Sequence, residues 1–575
     1  MPPPDGSLVD GDVVLCAALL AGKEQWLEQA VARGGLRHEC DAIQRLKDSE
    51  SALESAYLRT VLPPLRAELE CALGRPLSER GSSMIFGPAA IPTLSAAWFA
   101  ALLLQELRRV HAETPLRVVV PSQMPASLRA CSSHEQVDGL LRANTLGEFA
   151  RDVLHLAPER LWTIIESQTP PEAPKSNRGN VVQRVDAWLR HRMRCDSPAL
   201  TRPWQALFSV ALSTIPVATR SRPTGAITQR GAAESSTDPL LALVAERVVP
   251  PAMTRLGHAI QGLARRFDVT GFRRGYGRLV SHHIYEDRTN IRNALAHDAG
   301  EVVVGVQHGG GYGTLAVLPI SPQTEFIAGP FITWGWDGYG SYDVDSRPLP
   351  SPSLTRLKNI RQRREGSGIA AKIVFVGASM DMGLSRIHSK PIGIEWLRYR
   401  SWKLRFLSGL SSEMRRDFYY RGHFVAACGL EDELWIRSNF PDIQLLRGRL
   451  PDAMAEARAI VVDHPITALH QAMACGCPTI GFWDQTAWRL SETARPEFEM
   501  LSEAGVLLAS PEEAARALNE LGDCIEDWWR TPDVQKAVSA WCHRFARTDQ
   551  SWRTEWLKAL FTSPNSEPSV QPPDR

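Results

Sequence analysis

The sequence has no strong excess of charge of either sign. Lys and Arg together number 65 and Asp and Glu 64 among the 575 residues, so the formal net charge is +1. A protein that binds nucleic acid mainly through phosphates needs clustered positive charge, so the composition gives no reason to expect a nucleic-acid partner. The length exceeds what a single hydrophobic core organises, and roughly two to four domains are expected.

Cysteine is present, but it forms no framework. The ten cysteines are scattered, and the only close pair is Cys475 and Cys477. A lone Cys-x-Cys lacks the second pair that a structural zinc site needs, so we expect reduced, buried thiols. Reduced thiols are typical of a cytoplasmic protein, and the acidic, Pro-rich start MPPPDGSLVDGD does not resemble a secretory signal.

The sequence also lacks a clear metal-binding pattern. Asp343 and Asp345 have the Asp-x-Asp spacing of some metal sites, but they lie just before a Pro-rich stretch that is predicted to connect domains. His282 and His283 are adjacent on a predicted strand, so their side chains point to opposite faces. We therefore expect no metal and no cofactor.

No apolar run is long enough to cross a bilayer. Residues 81–105 carry no charge, but Pro88 and Pro92 are predicted to break a helix there and to leave an apolar run from Leu94 to Leu104. That run is well short of the ~20 residues that a span requires. We expect a buried helix, and the alternative is a peripheral contact with the inner face of the membrane.

From about residue 277 the pattern alternates between strands and helices. The apolar segments 278–285 and 301–307 are predicted strands. Between them, Asp287 is expected to cap a helix that Gly300 ends. A strand, a helix and a strand in this order imply parallel pairing in an α/β sheet.

The last third of the chain shows the same alternation of predicted strands and helices. Segments 372–379, 459–463 and 478–483 are predicted strands, and a short helix is predicted from about Thr467 to Gly476. We therefore expect an α/β fold with two Rossmann-like domains that face each other across a cleft, and a helix-rich N-terminal region. The expected division is an N-terminal domain 1–350 with helical insertions at about 125–270, a linker 351–368, a C-terminal domain 369–530, helices 531–562 and a disordered tail 563–575.

A glycine-rich string, HGGGYG, follows the predicted strand EVVVGVQ. Ligands of open parallel sheets bind beyond the carboxyl ends of the strands, which is where this string lies. Gly309, Gly310 and Gly311 permit a backbone that points successive N–H groups into one concavity, which favours phosphate or carboxylate. His308 would be a titratable group at its mouth. The string matches neither G-x-G-x-x-G nor the Walker A motif, and the alternative is a flexible turn with an incidental His.

A second candidate anion site follows the strand AIVVD. Asp463, His464 and Thr467 lie between that strand and the start of the next helix, and a helix N-terminus with free N–H groups readily binds anions. Arg421, in FYYRGH, can neutralise a diphosphate bidentately or form a surface ion pair. Together the two regions predict a phosphorylated ligand held between the two halves.

Aromatic residues near the glycine string are candidates for stacking. Tyr312, Trp334 and Trp336 can stack on a sugar or a base, and the alternative for the tryptophans is packing beneath the loop.

The two-half layout resembles the GT-B glycosyltransferases, in which the donor nucleotide typically binds the C-terminal half and the acceptor the N-terminal half. More specifically, the chain resembles a family of bacterial transferases from surface-polysaccharide and O-antigen gene clusters. A remoter likeness is to teichoic-acid glycerophosphotransferases. The matching strings run in consistent order from about residue 278 to 550: VQHGGGYG, ITWGWD, RPLPSPS, FYYRGH, DHPITALHQAMACGCPTI, LSEAGVLLASPEEAA and DWWRTPDVQKAV.

The resemblance implies roles for several residues. His308 is the implied general base, and His464 and Thr467 are implied phosphate ligands. Where such C-terminal halves often carry Glu for the donor ribose, this chain has Gln471, whose amide still bonds to hydroxyls. The implied substrates are a nucleotide-sugar donor and a glycan or lipid-linked acceptor.

The implied reaction is transfer of a sugar, or of a related phospho-group, to a cell-surface polysaccharide. Two alternatives remain at this stage. The first is a nucleotide-sugar epimerase or hydrolase of the same fold, and the second is a non-catalytic scaffold in polysaccharide assembly. The sequence gives no indication of the oligomeric state.

Overall fold

A computed structural model describes most of the chain. The described residues are 14–17, 24–32, 36–113, 116–121, 130–140, 143–156, 162–167, 195–196, 200–214, 238–267, 278–281, 286–340, 342–364, 372–378, 384, 387, 390–423 and 432–561. His282, His283, the predicted tail and nearly half of the predicted insertion at 125–270 lie outside these ranges. In the apolar segment 12–19, residues 14–17 are described and form no strand.

The N-terminal region is rich in helices. A π-helical turn, Tyr57–Val61, connects the third and fourth of them. The helices are α1 (Glu24–Ala32), α2 (Arg37–Asp48), α3 (Glu50–Ala56), α4 (Leu62–Leu73), α5 (Glu79–Val110), α6 (Ser133–Leu140), α7 (Ala143–Leu156), α8 (Arg202–Thr214), α9 (Pro239–Arg247) and α10 (Val249–Ala264). Two strands in this region, β1 (Leu116–Pro121) and β2 (Trp162–Ser167), pair in parallel.

Helix α5 runs unbroken through Pro88 and Pro92, so the predicted break is wrong. Each proline removes one helix hydrogen bond, and the burial of almost the whole apolar helix compensates for that loss. Within the described residues, α5 has the length and composition to cross a membrane, but its apolar window is entirely buried inside the protein. The expectation of a buried helix is confirmed.

The first sheet has five parallel strands in chain order. They are β3 (Cys195–Asp196), β4 (Arg278–Ser281), β5 (Val302–Val306), β6 (Phe331–Thr333) and β7 (Ser346–Pro348). The helix predicted between β4 and β5 is α11 (Asp287–Asp298), and the short elements α12 (Ile320–Thr324) and the 3-10 turn Phe326–Ala328 precede β6. The cap of α11 is Glu286, whose side chain accepts from the Thr289 N–H, and not Asp287 as predicted.

The second sheet has six parallel strands in the order β10-β9-β8-β11-β12-β13. They are β8 (Ile373–Val376), β9 (Phe418–Arg421), β10 (Gln444–Leu445), β11 (Ala459–Val462), β12 (Thr479–Phe482) and β13 (Leu507–Leu508). The chain begins in the middle at β8, builds outward to β10, and then returns to place β11 on the other side of β8. This reversal is a topological switch point, where ligands of doubly wound folds bind.

The helices of the second half follow the same chain order. They are α13 (Pro352–Arg364), α14 (Glu395–Gly409), α15 (Ser412–Arg416), α16 (Asp432–Asn439), α17 (Leu450–Glu456), α18 (Thr467–Ala474), α19 (Arg495–Glu503), α20 (Pro511–Leu521), α21 (Ile525–Trp529), α22 (Pro532–Phe545) and α23 (Trp552–Phe561), with a 3-10 turn at Gly522–Cys524. The expected α/β class with parallel sheets and a helix-rich N-terminal region is confirmed. The domain division and the cleft remain predictions.

Two helices join parts of the chain that are distant in sequence. Helix α13 lies inside the segment predicted as a linker, so that connection is a packed helix over most of its length. Helix α23 returns to the first sheet, where Trp556 and Leu560 share a buried apolar cluster with Val304 of β5. The last helix of the described residues therefore packs against the first sheet.

Candidate functional site

Gln307 organises the loop that leaves β5. Its side chain is fully buried, and its Oε1 accepts hydrogen bonds from the Trp334 N–H and from Trp336 Nε1, both over 2.8 Å. Its Nε2 donates to the Gly309 carbonyl oxygen over 2.9 Å. One side chain thus fixes the start of the glycine string against the segment after β6.

The glycines of the string are used for close approach and for turning. Gly311 and Gly313 have φ of 104° and 75°, a region that favours glycine. A Cβ on Gly313 would lie 2.7 Å from the ring of Trp336. A Cβ on Gly310 would lie 2.5 Å from the backbone nitrogen of Thr467, so only glycine fits at this contact.

The contact between Gly310 and Thr467 joins the two halves of the protein. The Gly310 N–H donates to Thr467 Oγ1 over 2.8 Å. The same side of the interface includes an antiparallel bridge between Leu315 and Leu490, and the Ser491 hydroxyl donates to the Gly313 carbonyl oxygen over 3.0 Å. The carboxyl ends of the central strands β5 and β11 therefore meet, as the sequence pattern predicted, but they touch directly at this point.

His308 lies beside this contact and is held by two residues of the first half. Its Nδ1 is 3.2 Å from the Tyr312 hydroxyl, which donates to Glu325 Oε2 over 2.9 Å. Glu325 Oε1 is 3.7 Å from the same Nδ1. This arrangement favours a proton on Nδ1, because the Tyr312 hydroxyl already donates to Glu325 and can only accept from the ring. Nε2 then carries the lone pair that a general base needs.

His308 keeps access to solvent while its partner Glu325 does not. The side chain of His308 is 31% exposed and that of Glu325 is 7% exposed. A partly exposed imidazole supported by a buried carboxylate suits proton transfer, since the carboxylate favours the protonated ring once it has taken a proton.

Helix α18 begins at Thr467 directly against the glycine string. Thr467 is its first residue, and its hydroxyl oxygen accepts from Gly310. An acceptor hydroxyl keeps its own hydrogen, so Thr467 can still donate to a ligand oxygen. One turn further, Gln471 lies on the same helix face and is partly exposed.

His470 supports this contact from inside α18. It is fully buried, and burial lowers its pKa to about 4. Its Nδ1 is 3.1 Å from the Ile466 carbonyl oxygen, and its ring packs edge-on against Trp541. A neutral His470 therefore forms part of the floor beneath Gly310.

Asp463 and His464 follow β11 and are both buried. Asp463 Oδ1 lies 2.8 Å from His464 Nδ1 and accepts from the Ala378 N–H over 3.1 Å. Ala378 follows β8, so this bond closes the switch point between β8 and β11. Nδ1 of His464 faces the carboxylate, which leaves Nε2 as the nitrogen for a ligand.

A buried lysine completes this cluster. Lys403 of α14 is fully buried, with its Nζ 2.5 Å from Asp432 Oδ2 and 3.6 Å from Asp463 Oδ2. Burial alone would raise the pKa of Asp463, but the charge of Lys403 and the bond from His464 outweigh it and lower that pKa. Burial raises the pKa of Asp432 despite Lys403, and the nearby charge of Asp463 adds to the rise.

Tyrosines line the same cluster. Lys403 Nζ donates to the Tyr420 hydroxyl over 2.7 Å, and that hydroxyl donates to Asp432. The Tyr399 hydroxyl accepts from Ala378 N–H over 3.2 Å. The carboxyl ends of β8, β9 and β11 thus meet at one buried polar network.

The remaining residues predicted for the site are one arginine and three aromatic residues. Arg421 ends β9 next to the network, and its guanidinium donates to the Leu446 carbonyl oxygen over 3.2 Å. Tyr312, Trp334 and Trp336 are at most 5% exposed. Because stacking needs an exposed ring face, we assign these three rings to packing beneath the loop and not to ligand stacking.

Several residues of the site were not predicted from the sequence. Glu325, Lys403 and Asp432 stand in segments without a motif, and their roles arise from contacts over long sequence separations. Gln307 carried a weak signal, because a polar residue at the end of a buried strand needs partners. Lys403 carried none, since the segment WLRYRSWKLRF has the charge of a solvated helix face.

The fold and the site together describe an α/β protein with parallel sheets whose strand ends converge on histidines and a helix start. Residues 277–560, about half of the chain, match the sequence model of the LIC12162 family transferases. This match confirms the recognition of a transferase family from the sequence. No curated protein matches the chain.

Solved structures of the wall teichoic acid polymerase TagF are similar to parts of the chain. A histidine-to-alanine variant is 12% identical and matches with a TM-score of 0.28 over 46% of this chain and 68% of its own. A histidine-to-asparagine variant soaked with CDPG is 10% identical, with a TM-score of 0.29 over 49% and 71% of the two chains. A third TagF structure is 9% identical, with a TM-score of 0.26 over 46% and 67%.

Proposed function

We propose that the protein transfers a sugar, or a related phospho-group, from a nucleotide-activated donor to a cell-surface polysaccharide or O-antigen acceptor. The acceptor is a glycan or a lipid-linked glycan, and the reaction takes place in the cytoplasm or at the inner face of the membrane. The observation that carries this proposal is the contact of Gly310 with Thr467. It puts a partly exposed histidine of one half beside the helix start of the other.

His308 acts as the general base in this proposal. Its Nε2 takes the proton of the acceptor hydroxyl while Tyr312 and Glu325 hold the ring through Nδ1. General-base catalysis of this kind contributes about 10²–10⁴-fold to the rate. The buried Glu325 stabilises the imidazolium that forms.

Thr467, His464 and the N–H groups at the start of α18 receive the phosphate charge of the donor. A helix N-terminus and a donating hydroxyl both stabilise negative charge that develops on a leaving phosphate. The Gly310 N–H bonds to Thr467, so Gly309 and Gly311 supply the remaining backbone N–H groups of the glycine string, and Arg421 lies at the end of β9. Gln471, one turn into α18, bonds to hydroxyls of the donor.

These protein groups meet the phosphate charge without a metal ion or another cofactor. The proposal expects that a chelator leaves turnover unchanged. Loss of turnover with a chelator, and its recovery with a divalent ion, would overturn this part.

A thermal-shift experiment with CDP, UDP and GDP tests donor binding. At least one of the nucleotides is expected to raise the melting temperature, because a ligand that binds only the folded state stabilises it. Thr467→Val is expected to abolish that shift, and Thr467→Ser, which keeps the hydroxyl, to preserve it. If no nucleotide shifts the melting of the unmodified protein, the proposal fails.

Product analysis on the donor alone tests the type of reaction. A transferase leaves most of the donor intact until acceptor is added. Conversion of the donor without acceptor would favour an epimerase or a hydrolase.

A further inference from the structure

A pocket opens on the second sheet, at β12 and β13 and away from the switch point between β8 and β11. It has a volume of about 690 Å³ and is lined at the carboxyl ends of β12 and β13. Ligand pockets of proteins commonly measure about 300–1,000 Å³. Neither His308 nor Thr467 lines it, so it is distinct from the site described above.

The pocket has an apolar floor with aromatic rings. Trp483 and Phe498 line it, with their ring centroids 6.1 Å apart and their planes nearly perpendicular. Trp483 is 5% exposed, and its Nε1 is buried without a hydrogen-bond partner among the described residues. Both rings are at most 5% exposed, so they contribute an apolar floor and do not offer a free face for stacking.

The rim of the pocket is polar and carries charges of both signs. Two arginines and three glutamates line it, which leaves one excess negative charge. Arg495 pairs with Glu492 over 2.7 Å, and Arg489 pairs with Asp48 over 3.1 Å. Because its cations are neutralised in this way, the pocket does not suit a diphosphate.

The pocket lies at the seam between the two halves. Ala316 of the first half lines it, and the Ala316 N–H donates to the Arg489 carbonyl oxygen over 2.9 Å. Ala316 belongs to the same loop as the glycine string and His308. A long ligand in the pocket would therefore lie close to the loop that carries His308.

We propose that this pocket binds a neutral oligosaccharide, namely sugar units of the acceptor some distance from the reacting hydroxyl. The sugar rings lie over the apolar floor that Trp483 and Phe498 help to form, and their hydroxyls bond to carboxylates, guanidinium groups and the exposed amide of Gln485. This inference rests on the proposed function and deepens it by giving the acceptor a site. It departs from the resemblance, which places the acceptor in the N-terminal half.

Filling the pocket tests the proposal without disturbing the core. Ser502 lines the pocket on α19 and is exposed, so Ser502→Trp occupies the volume from its rim. The adjacent Glu503 is exposed and does not line the pocket, which makes Glu503→Trp the matched control. Equal melting temperatures of the two variants establish that both are folded.

Saturation-transfer-difference NMR with neutral trisaccharides of hexoses, 6-deoxyhexoses and N-acetylhexosamines is the binding assay. At least one trisaccharide is expected to bind the unmodified protein and Glu503→Trp equally. Ser502→Trp is expected to weaken that binding about tenfold or more, because a bulky ring takes the volume that the ligand needs.

The same samples are titrated with CDP, UDP and GDP. Nucleotide binding is expected to be unchanged by Ser502→Trp. The proposal is overturned if no trisaccharide binds, if both variants behave alike, or if Ser502→Trp weakens nucleotide binding instead. If trisaccharides bind and no nucleotide does, the pocket stands and the proposed function fails, so the two failures are distinguishable.

Discussion

The Gly310 N–H donates to the hydroxyl oxygen of Thr467, 157 residues further along the chain, over 2.8 Å. This bond ties the glycine string of the first half to the first turn of α18. The sequence pattern had predicted that the Gly310 N–H would bind a phosphate, but this N–H group bonds to Thr467 instead. The string is therefore first of all a contact surface, and a ligand at this place must share it with α18.

Gly310→Ala tests how tight this contact is. The added Cβ would lie 2.5 Å from the Thr467 nitrogen and 2.6 Å from His470 Nδ1, which are backbone and a buried ring. Overpacking of this kind typically costs about 1–3 kcal/mol. We expect a lower melting temperature and a weaker nucleotide shift, measured by differential scanning fluorimetry.

Gly262→Ala is the matched control for that change. Gly262 lies in α10, and a Cβ there meets nothing within 4 Å. Replacing a helical glycine by alanine typically stabilises by about 0.5–1 kcal/mol. If Gly310→Ala were as stable as Gly262→Ala, the contact would not exist in solution.

The Tyr312 hydroxyl is expected to position His308 and not to contact the substrate. Tyr312→Phe keeps the buried ring and removes the bond to His308 and to Glu325. Turnover is expected to fall by about 10–100-fold, less than the 10²–10⁴-fold loss expected for His308→Ala, because the base remains but its orientation is lost. Steady-state kinetics with the donor and acceptor measure both.

The pH profile separates positioning from simple damage to the fold. In Tyr312→Phe the Glu325 carboxylate stays 3.7 Å from His308 Nδ1 and loses the hydroxyl that donates to it, so it favours the imidazolium more strongly and the acidic limb of the rate profile is expected to move to higher pH. A profile unchanged in shape, with only its height reduced, would contradict a role in setting the state of His308.

The buried cation of the second half gives a prediction on stability. Lys403→Met removes the ammonium group that lies within 4 Å of the carboxylates of both Asp432 and Asp463. Breaking a buried ion pair by removing one partner typically costs about 3–5 kcal/mol, because the other charge is left uncompensated. Urea unfolding is expected to show a markedly lower midpoint.

The double variant Lys403→Met with Asp432→Asn distinguishes charge from packing. If the cost arises from unpaired carboxylates, neutralising Asp432 recovers part of the lost stability. A double variant no more stable than the single one would show that Lys403 acts through its packing alone.

The strands and their order of appearance were accessible from the sequence, because a buried parallel strand is a short continuous apolar run. β5, β8, β11 and β12 all lie within the predicted segments, and the first three end before Gln307, Gly377 and Asp463. The course of α5 was not accessible in this way. Two prolines normally break a helix, and only the tertiary packing around α5 shows that the break does not occur.

Some residues of the candidate site were likewise predictable from the sequence, and others were not. His308, Asp463 and His464 follow the ends of strands and Thr467 begins a helix, and these positions were predicted from the chain pattern alone. Glu325 and Lys403 became recognisable only when the fold buried them beside those residues. Glu and Lys side chains are typical of solvent-exposed positions. Their burial here results from the tertiary structure and is not visible in the local sequence pattern.

Glu39 gives a prediction on the pH dependence of stability. It is fully buried between the N-terminal region and the second half, where it accepts from the Ala17 N–H over 2.7 Å and from the Ile394 N–H over 3.3 Å. Burial raises its pKa to about 8 from an ordinary value of 4.5, despite these two bonds, and the nearby charge of Glu395 adds to the rise.

The sign follows from proton linkage. Between pH 4.5 and 8 the folded protein holds a proton on Glu39 that the unfolded chain has lost, so unfolding releases it. The stability that Glu39 contributes is complete below pH 4.5 and is lost as the pH rises through 8. Glu39→Gln cannot ionise, so its urea midpoint relative to the unmodified protein is expected to rise between pH 5 and pH 8. The exposed Glu520→Gln is the control, and an equal pH response of the two variants would show that Glu39 does not hold the proton.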